Sequence, residues 1–211
     1  MSLKRSMGKI LRFIFTTNSA IWFEKDLTEK LMEYQPKIPV EVDMNSTGQT
    51  IEWLKTQDQS WVVHPQEIAA ALKYNHCWPS ARINGEIIGC IKIGFGNVFI
   101  VDYNKLIEFP DGMAFIYDTY VLEDMRGKGV AKYLIAQAIK FIKTKGYNKV
   151  GCHIPPWNKV SIGAYEEMGF KKVNYIRNFR FFGFSIRIAK PPKNFSMFTK
   201  GKILKEDLPY G

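Results

Sequence analysis

Several kinds of chemistry are scarce in this 211-residue chain, which has only three cysteines and three histidines. Cys77, Cys90 and Cys152 are odd in number and far apart, without the spacings that bind a metal or frame a disulfide scaffold. His64, His76 and His153 are equally scattered, so no metal site is expected. The thiols read as buried and free in a reducing cytoplasm. Long apolar runs are missing as well. Residues 113–122 come nearest, but Asp118 interrupts them, and they fall far short of the roughly 18–20 residues needed for a membrane span. Residues 10–15 follow a basic stretch and are apolar, yet they are few and broken by Arg12, so they read as a first strand and not as a signal peptide. There is no internal repeat and no low-complexity segment. With 46% hydrophobic and 24% charged residues, the composition is that of an ordinary folded protein, and the length suits one domain, at most with an appendage.

Acid is scarce in one half of the chain only. Residues 126–211 carry 18 Lys and Arg against 4 Asp and Glu, whereas residues 1–125 carry 12 against 16. The basic half should meet an anion. Nucleic acid, anionic lipid and a phosphorylated cofactor would all answer to that field, and charge alone does not choose between them.

The patterning predicts a strand over residues 10–15 and a short helix over residues 26–34, capped by Asp26 or Thr28. A helix capped by Ser46 or Thr47 should run to Leu54, and Pro65 suits the first turn of another over residues 66–74. Residues 78–83 and 86–93 are β-rich and joined by Asn84-Gly85, a strong hairpin signal. Residues 94–102 continue as a further strand or bulge. After the turn at Pro110-Asp111-Gly112, residues 113–122 predict a long central strand. From Gly129 the period changes: Val130, Tyr133, Leu134, Ala138, Phe141 and Ile142 mark an amphipathic helix ending near Lys145. A strand over residues 149–154, a helix over residues 158–168 closed by Gly169, and one or two strands within residues 172–188 complete the pattern. The tail from Lys190 is expected to pack on the surface.

Residues 119–142 carry the most chemistry. They predict a strand, a glycine-rich turn and a helix whose first amides have no acceptor within the helix, an arrangement that favours an anion such as a pyrophosphate. Gly127 and Gly129 let the backbone approach a ligand closely. A Walker loop would need Gly-Lys-Ser/Thr at its end, and a Rossmann turn a third glycine where Lys132 stands, so both fit poorly.

Arg126-Gly127-Lys128-Gly129-Val130-Ala131 resembles the Arg/Gln-x-x-Gly-x-Gly/Ala signature of the GNAT acetyltransferase family. Val121 takes the place of the hydrophobic residue that family sets five positions earlier, while Glu123 stands where a proline is often found. A second stretch, residues 158–170, resembles the family's Asn-x-x-Ala-x-x-Leu-Tyr-x-x-x-Gly-Phe, with Asn158, Tyr165, Gly169 and Phe170 matching and Ser161 and Ala164 departing conservatively. The resemblance is clearest over residues 78–185. It implies an α/β (α+β) GNAT fold, a central, mostly antiparallel mixed sheet flanked by helices. One domain would fill residues 1–189, followed by an extension over residues 190–211.

The resemblance further implies an acetyl-CoA-dependent N-acetyltransferase that transfers directly to an amine, without a covalent enzyme intermediate. Amides of Arg126, Gly127, Lys128, Gly129, Val130 and Ala131 would hold the pyrophosphate, and Asn158 would touch the cofactor or simply cap its helix. The backbone N–H near Tyr120 and Val121 would stabilise the oxyanion, provided the strand opens away from its neighbour there. Tyr165 would protonate the departing thiolate. Asp118, which interrupts an apolar strand and must therefore be paired or face a wet cleft, is the first candidate for the amine's base. Tyr117, Tyr120 and His153 are weaker alternatives.

Because the acidic half would supply most of the acceptor cleft, a small-molecule or peptide amine, cationic in character, is the expected acceptor. Trp22, Trp53, Trp61 and Trp78 are candidates to line that pocket or to fill the core. Two rivals remain open: a non-catalytic GNAT-like module that binds acyl-CoA or a protein partner, and a nucleic-acid binder using the cations and aromatics of residues 177–182. A homodimer would agree with the pairing common in the family.

Overall fold

The computed structural model describes residues 15–57, 63–103, 105–181, 184–189 and 203–204. Along the chain lie β1 (Phe15–Asp26), β2 (Glu41–Asp43), α1 (Thr47–Lys55), α2 (Pro65–Lys73), β3 (Ser80–Ile83), β4 (Glu86–Phe95), β5 (Asn97–Ile100) and β6 (Lys105–Glu108). They are followed by β7 (Met113–Val121), α3 (Val130–Thr144), β8 (Lys149–Ile154), α4 (Lys159–Glu167), β9 (Lys171–Phe181), β10 (Phe184–Ala189) and β11 (Ile203–Leu204). Eight strands form one sheet in the order β10-β9-β1-β8-β7-β4-β3-β2. Its neighbours pair antiparallel except β7 and β8, which are parallel. A parallel pair needs a crossover, and α3 provides it.

The alternation of strand side chains divides the core into two layers. On one face, Leu134, Ile135, Ala138, Ile139 and Ile142 of α3 pack on Ile91, Ile93, Ala114, Ile116, Val150 and Cys152. On the other, Trp22, Phe115 and Met113 meet Val98, Ile107 and Phe109 of the β5–β6 hairpin region. Beside them, Ile51 and Leu54 of α1 and Ala71 of α2 pack with Trp78, Cys90 and Tyr120. The β3–β4 turn follows its Asn-Gly signal: Asn84 and Gly85 have φ of 50° and 86°, as the tightest hairpin turns require.

The expected helix over residues 26–34 does not form. The Asp26 carboxylate accepts hydrogen bonds from the Thr28 amide at 2.8 Å and the Thr28 hydroxyl at 2.6 Å, a local turn that ends β1. Leu27, Leu31, Tyr34 and Ile38 have helical spacing, but all pack on the α3 side of the core from an irregular segment. Further along it the Lys37 amide donates to the Lys128 carbonyl at 3.0 Å. Tertiary packing overrides the local period here. β1 also extends far beyond the expected first strand, whose residues 10–14 lie outside those described. Its polar residues 16–19 pair with β9, and from Ile21 onward β8 takes up the other edge as well.

Residues 94–102 divide between three elements. Gly94 and Phe95 end β4, Gly96 turns the chain with φ of 63°, and β5 leaves the large sheet to pair with β6. Within the tail, β11 adds to β6 as the third strand of that smaller sheet. Residues 177–181, in the basic and aromatic stretch, run through β9 between β1 and β10. Among the described residues no helix is long and apolar enough to cross a membrane.

Trp22 is wholly buried and lies nearly parallel to the Phe115 ring, with centroids 5.1 Å apart. Replacing it with alanine should lower the unfolding free energy by about 3–5 kcal/mol. Urea denaturation of Trp22→Ala reads this directly, and a loss below about 1 kcal/mol would contradict the packing described.

Candidate active site

The site begins with two irregularities of β7. In the pairing with β4, Ile116 faces Ile93 and Asp118 faces Lys92, so Tyr117 is an extra residue that bulges the strand. Pairing with β8 stops at Ile116 opposite Cys152, while β7 continues to Val121 and β8 to Ile154. Beyond that point the strands part. The Leu122 amide donates to the Ile88 carbonyl of β4 at 3.0 Å. Strand alternation therefore turns the Tyr120 amide toward β4 as well, and those of Thr119 and Val121 toward the gap.

A pocket of about 380 Å³ occupies the gap. Its walls come from α2 and its N-cap (Glu67 and His64), the turn after β5 (Asp102), β7 (Tyr117, Asp118 and Thr119), the end of β8 (His153), and α4 and its N-cap (Tyr165 and Asn158). Residues separated by as many as 101 positions in sequence thus share one chamber. At its rim Trp157 is 77% exposed.

Beyond the end of β7 comes the glycine turn. Gly127 and Gly129 have φ of 75° and 87°, in the left-handed region. Gly129 begins α3 without a side-chain cap, which leaves the first amides, from Val130 and Ala131, aimed outward. Arg126 turns back, its Nε donating to the Val121 carbonyl at 3.2 Å. Lys128 Nζ lies 3.6 Å from Met125 Sδ. Tyr34 stands against the turn, its hydroxyl 2.6 Å from where a Cβ on Gly129 would be. Asn158 caps α4, its Oδ1 accepting from the Ser161 amide at 3.1 Å, and also faces the pocket.

Tyr165 is buried, with its hydroxyl 3.2 Å from Thr119 Oγ1 and its ring edge-on to Phe170. Burial, reinforced by the Cys152 thiol, holds its phenol well above the usual range, so it keeps its proton. Asp118 is paired and also faces the pocket. Lys92 Nζ lies 3.2 Å from Asp118 Oδ2 and 2.9 Å from Glu67 Oε2, and its side chain is 1% exposed against 25% for Asp118. Burial works against the charge of Lys92, but Asp118 and Glu67 outweigh it and hold the ammonium above its ordinary value. Burial raises Glu67 despite the same lysine. Neither Glu67 nor Lys92 was expected from sequence. Lys92 interrupts an apolar strand just as Asp118 does, and that shared oddity was the available signal; nothing local distinguished Glu67.

The remaining candidates hold bonds of their own, Tyr117 and His153 within the pocket wall. Trp78 Nε1 donates to the Tyr117 hydroxyl, which lies 3.3 Å from His76 Nδ1. His76 Nε2 is 2.9 Å from the Asn97 carbonyl, which only accepts, so Nε2 carries the proton and Nδ1 accepts from Tyr117. Tyr117 is thus tied into a chain of inward bonds. His153 Nε2 meets Asp102 Oδ2 at 3.0 Å, and this bond holds the Asp102 carboxyl below its usual range. Tyr120 is buried under Trp53, with ring centroids 5.7 Å apart. Trp22 and Trp78 belong to the core, and Trp61 lies outside the described residues. Among the described residues no cluster of His, Cys, Asp or Glu suits a metal ion, and Cys77, Cys90 and Cys152 are free and buried.

Residues 45–170 match the acetyltransferase (GNAT) family, and the chain belongs to it. An uncharacterised N-acetyltransferase of Bacillus subtilis (strain 168), YycN, is 33% identical over 103 residues, covering 49% of this chain and 60% of its own. The GCN5-related N-acetyltransferase from Sphaerobacter thermophilus superposes with a TM-score of 0.51 at 12% identity, over 90% of this chain and 58% of its own. A glucosamine N-acetyltransferase region in a fungal multi-domain β-N-acetylglucosaminidase gives a TM-score of 0.54 at 15% identity, over 88% of this chain and 22% of its own. This chain therefore spans less than two thirds of each of these proteins, and the two structural likenesses are of fold. The mixed sheet flanked by helices is the GNAT architecture.

His76 offers a test of the inward chain. Burial pushes its pKa from 6.5 down to about 4. Between those values the unfolded chain binds a proton that the folded one refuses, so stability must fall as pH drops from 6.5 toward 4. The slope is about 1.4 kcal/mol per pH unit at most. Urea midpoints measured across this range should fall less steeply for His76→Gln than for the native chain; parallel curves would show that His76 titrates normally.

Proposed function

We propose that the protein transfers an acetyl group from acetyl-CoA to an amine by direct attack in a ternary complex. The observation that carries this is the opening of β7 from β8 after Ile116, with Asp118 and Tyr165 lining the pocket so formed. The outward amides at the start of α3 suit a pyrophosphate, with Lys128 supplying charge and Arg126 bracing the strand end through Val121. The pantetheine arm would lie along the unpaired edge of β7, and the Val121 amide would donate to the thioester carbonyl as negative charge develops there. Tyr120, its amide turned to β4, would act through packing.

In the reaction, the amine nitrogen attacks the thioester carbon, the C–N bond forms and the C–S bond breaks. Asp118 takes the proton from nitrogen, and Tyr165, kept protonated by burial, gives one to the departing thiolate. The carboxylates of Glu67, Asp102 and Asp118 on the acceptor side favour a cationic amine, small or peptidic. We read residues 1–189 as one acetyltransferase domain with a tail over residues 190–211, acting in the cytoplasm, where its free thiols stay reduced. A homodimer would leave this site complete within each chain. The alternative is a non-catalytic module that binds acyl-CoA or a protein; the paired Asp118 and the protonated Tyr165 favour an enzyme over it.

Titration calorimetry with acetyl-CoA tests the cofactor site. Native protein should bind at micromolar concentration. Gly129→Glu, which brings a carboxylate to the pyrophosphate amides, should lose at least tenfold in affinity while circular dichroism shows an intact fold. Binding that survives undiminished would overturn the placement, and absent binding in the native protein would overturn acetyl-CoA as donor.

A further inference from the structure

Among the described residues, one charge is buried where the fold does not ask for one. Lys92 lies in β4 within Ile91-Lys92-Ile93, flanked by two wholly buried isoleucines. An unpaired ammonium there would cost several kcal/mol, and replacing a buried ion pair by apolar side chains of similar volume is often neutral or stabilising. A methionine would satisfy the core equally well. The position of Lys92 is more informative than its burial. It faces Asp118 in register, beside the Tyr117 bulge, and reaches Glu67 of α2 with the same nitrogen. Both carboxylates line the pocket, whereas the ammonium stands behind them against the face of Trp78, 4.9 Å from the ring centroid.

We propose that Lys92 is a positioning residue for the proton-accepting carboxylate: by bridging Glu67 and Asp118 it fixes their placement at the bulge and sets the pH at which the pair takes up the acceptor's proton. This rests on the acetyl-transfer reading above. With both carboxylates ionised, the pair and Lys92 together leave one net negative charge on the pocket wall, to which Asp102 adds. An ammonium is attracted by that charge, loses its first proton to solvent as it enters, and gives the second to Asp118, the more exposed of the two carboxylates, as the C–N bond forms. Lys92 keeps its own proton throughout, since both carboxylates favour its charged form. Cys90 of β4, Tyr117 of β7, Asp102 in the turn after β5 and Tyr165 of α4 also act electrostatically on members of this trio. His64 and His153 line the same pocket. Those other carboxyl, thiol and phenol groups add negative charge or none, so taking the ammonium away leaves Glu67 and Asp118 in mutual repulsion. One of them then holds a proton to higher pH.

The test is the pH dependence of thioester consumption with a diamine acceptor, alongside acetyl-CoA affinity by calorimetry. Lys92→Met should move the acid limb of the kcat profile up by about one pH unit or more and lower kcat at neutral pH by roughly tenfold to a hundredfold. Its acetyl-CoA affinity should stay within about threefold of native. Adding Glu67→Gln to Lys92→Met removes one charge of each sign and should return the limb toward its native position. Glu67→Gln alone leaves the ammonium to Asp118 and should move the limb down, which keeps the proposal testable if Lys92→Met does not fold. An unmoved limb in the folded variants would overturn it and reduce Lys92 to a packing role. A native protein that binds acetyl-CoA but consumes none with any amine would instead overturn the transfer reading on which it rests.

Discussion

The structure depends on a single interruption of hydrogen bonding. β7 is the central strand, paired on one edge with β4 along its length and on the other with β8 only as far as Ile116. Where that second ladder ends, backbone groups of β7 no longer have a partner in the sheet, and buried backbone polar groups do not stay unpaired without a purpose. The Tyr117 bulge coincides with the break and turns the following residues, so that Asp118 and Thr119 present themselves at the opening. The glycine turn and the start of α3 follow the same strand a few residues later. The proposed phosphate site, thioester site and base would thus be three consecutive consequences of how β7 leaves its neighbour.

A break of this kind must be held open, and the chain does so with polar contacts that would be costly elsewhere. On one side, the Trp78–Tyr117–His76–Asn97 chain of hydrogen bonds anchors the bulge. On the other, the ammonium of Lys92 binds α2 to β7 through Glu67 and Asp118. Trp78 belongs to both, its N–H in the first and its ring face beneath the second. A satisfied buried network of this type adds little to stability, but it specifies one arrangement of groups, and a catalytic pocket needs that specificity.

Most of the scaffold was legible because its residues obey local rules. The period of α3, the Asn84-Gly85 turn, Pro65 at the start of α2 and the Asn158 cap all appear where sequence places them. So do the paired motifs that identify the family. The expectation for the segment after Asp26 failed because its helical spacing of apolar residues serves packing against α3 instead of a helix, and the extent of β1 was missed because its polar residues 16–19 are held by backbone pairing with β9, which no local pattern announces. Within the site, Asp118 was visible as a charge in an apolar strand. Glu67 was not, since only the tertiary fold brings α2 against Lys92. Nor could sequence separate the Tyr120 and Val121 amides, because that depends on register, and a shift of one residue exchanges them.

The orientation of these two amides can be measured directly. Backbone amide resonances of the protein labelled with nitrogen-15 should be followed while coenzyme A lacking its sulfur is added. Thr119 and Val121 should shift together with the first amides of α3, whereas Tyr120, already bonded within the sheet, should shift much less. If Tyr120 moves as strongly as its neighbours, or the shifts gather away from the open edge of β7, the cofactor does not bind along that edge.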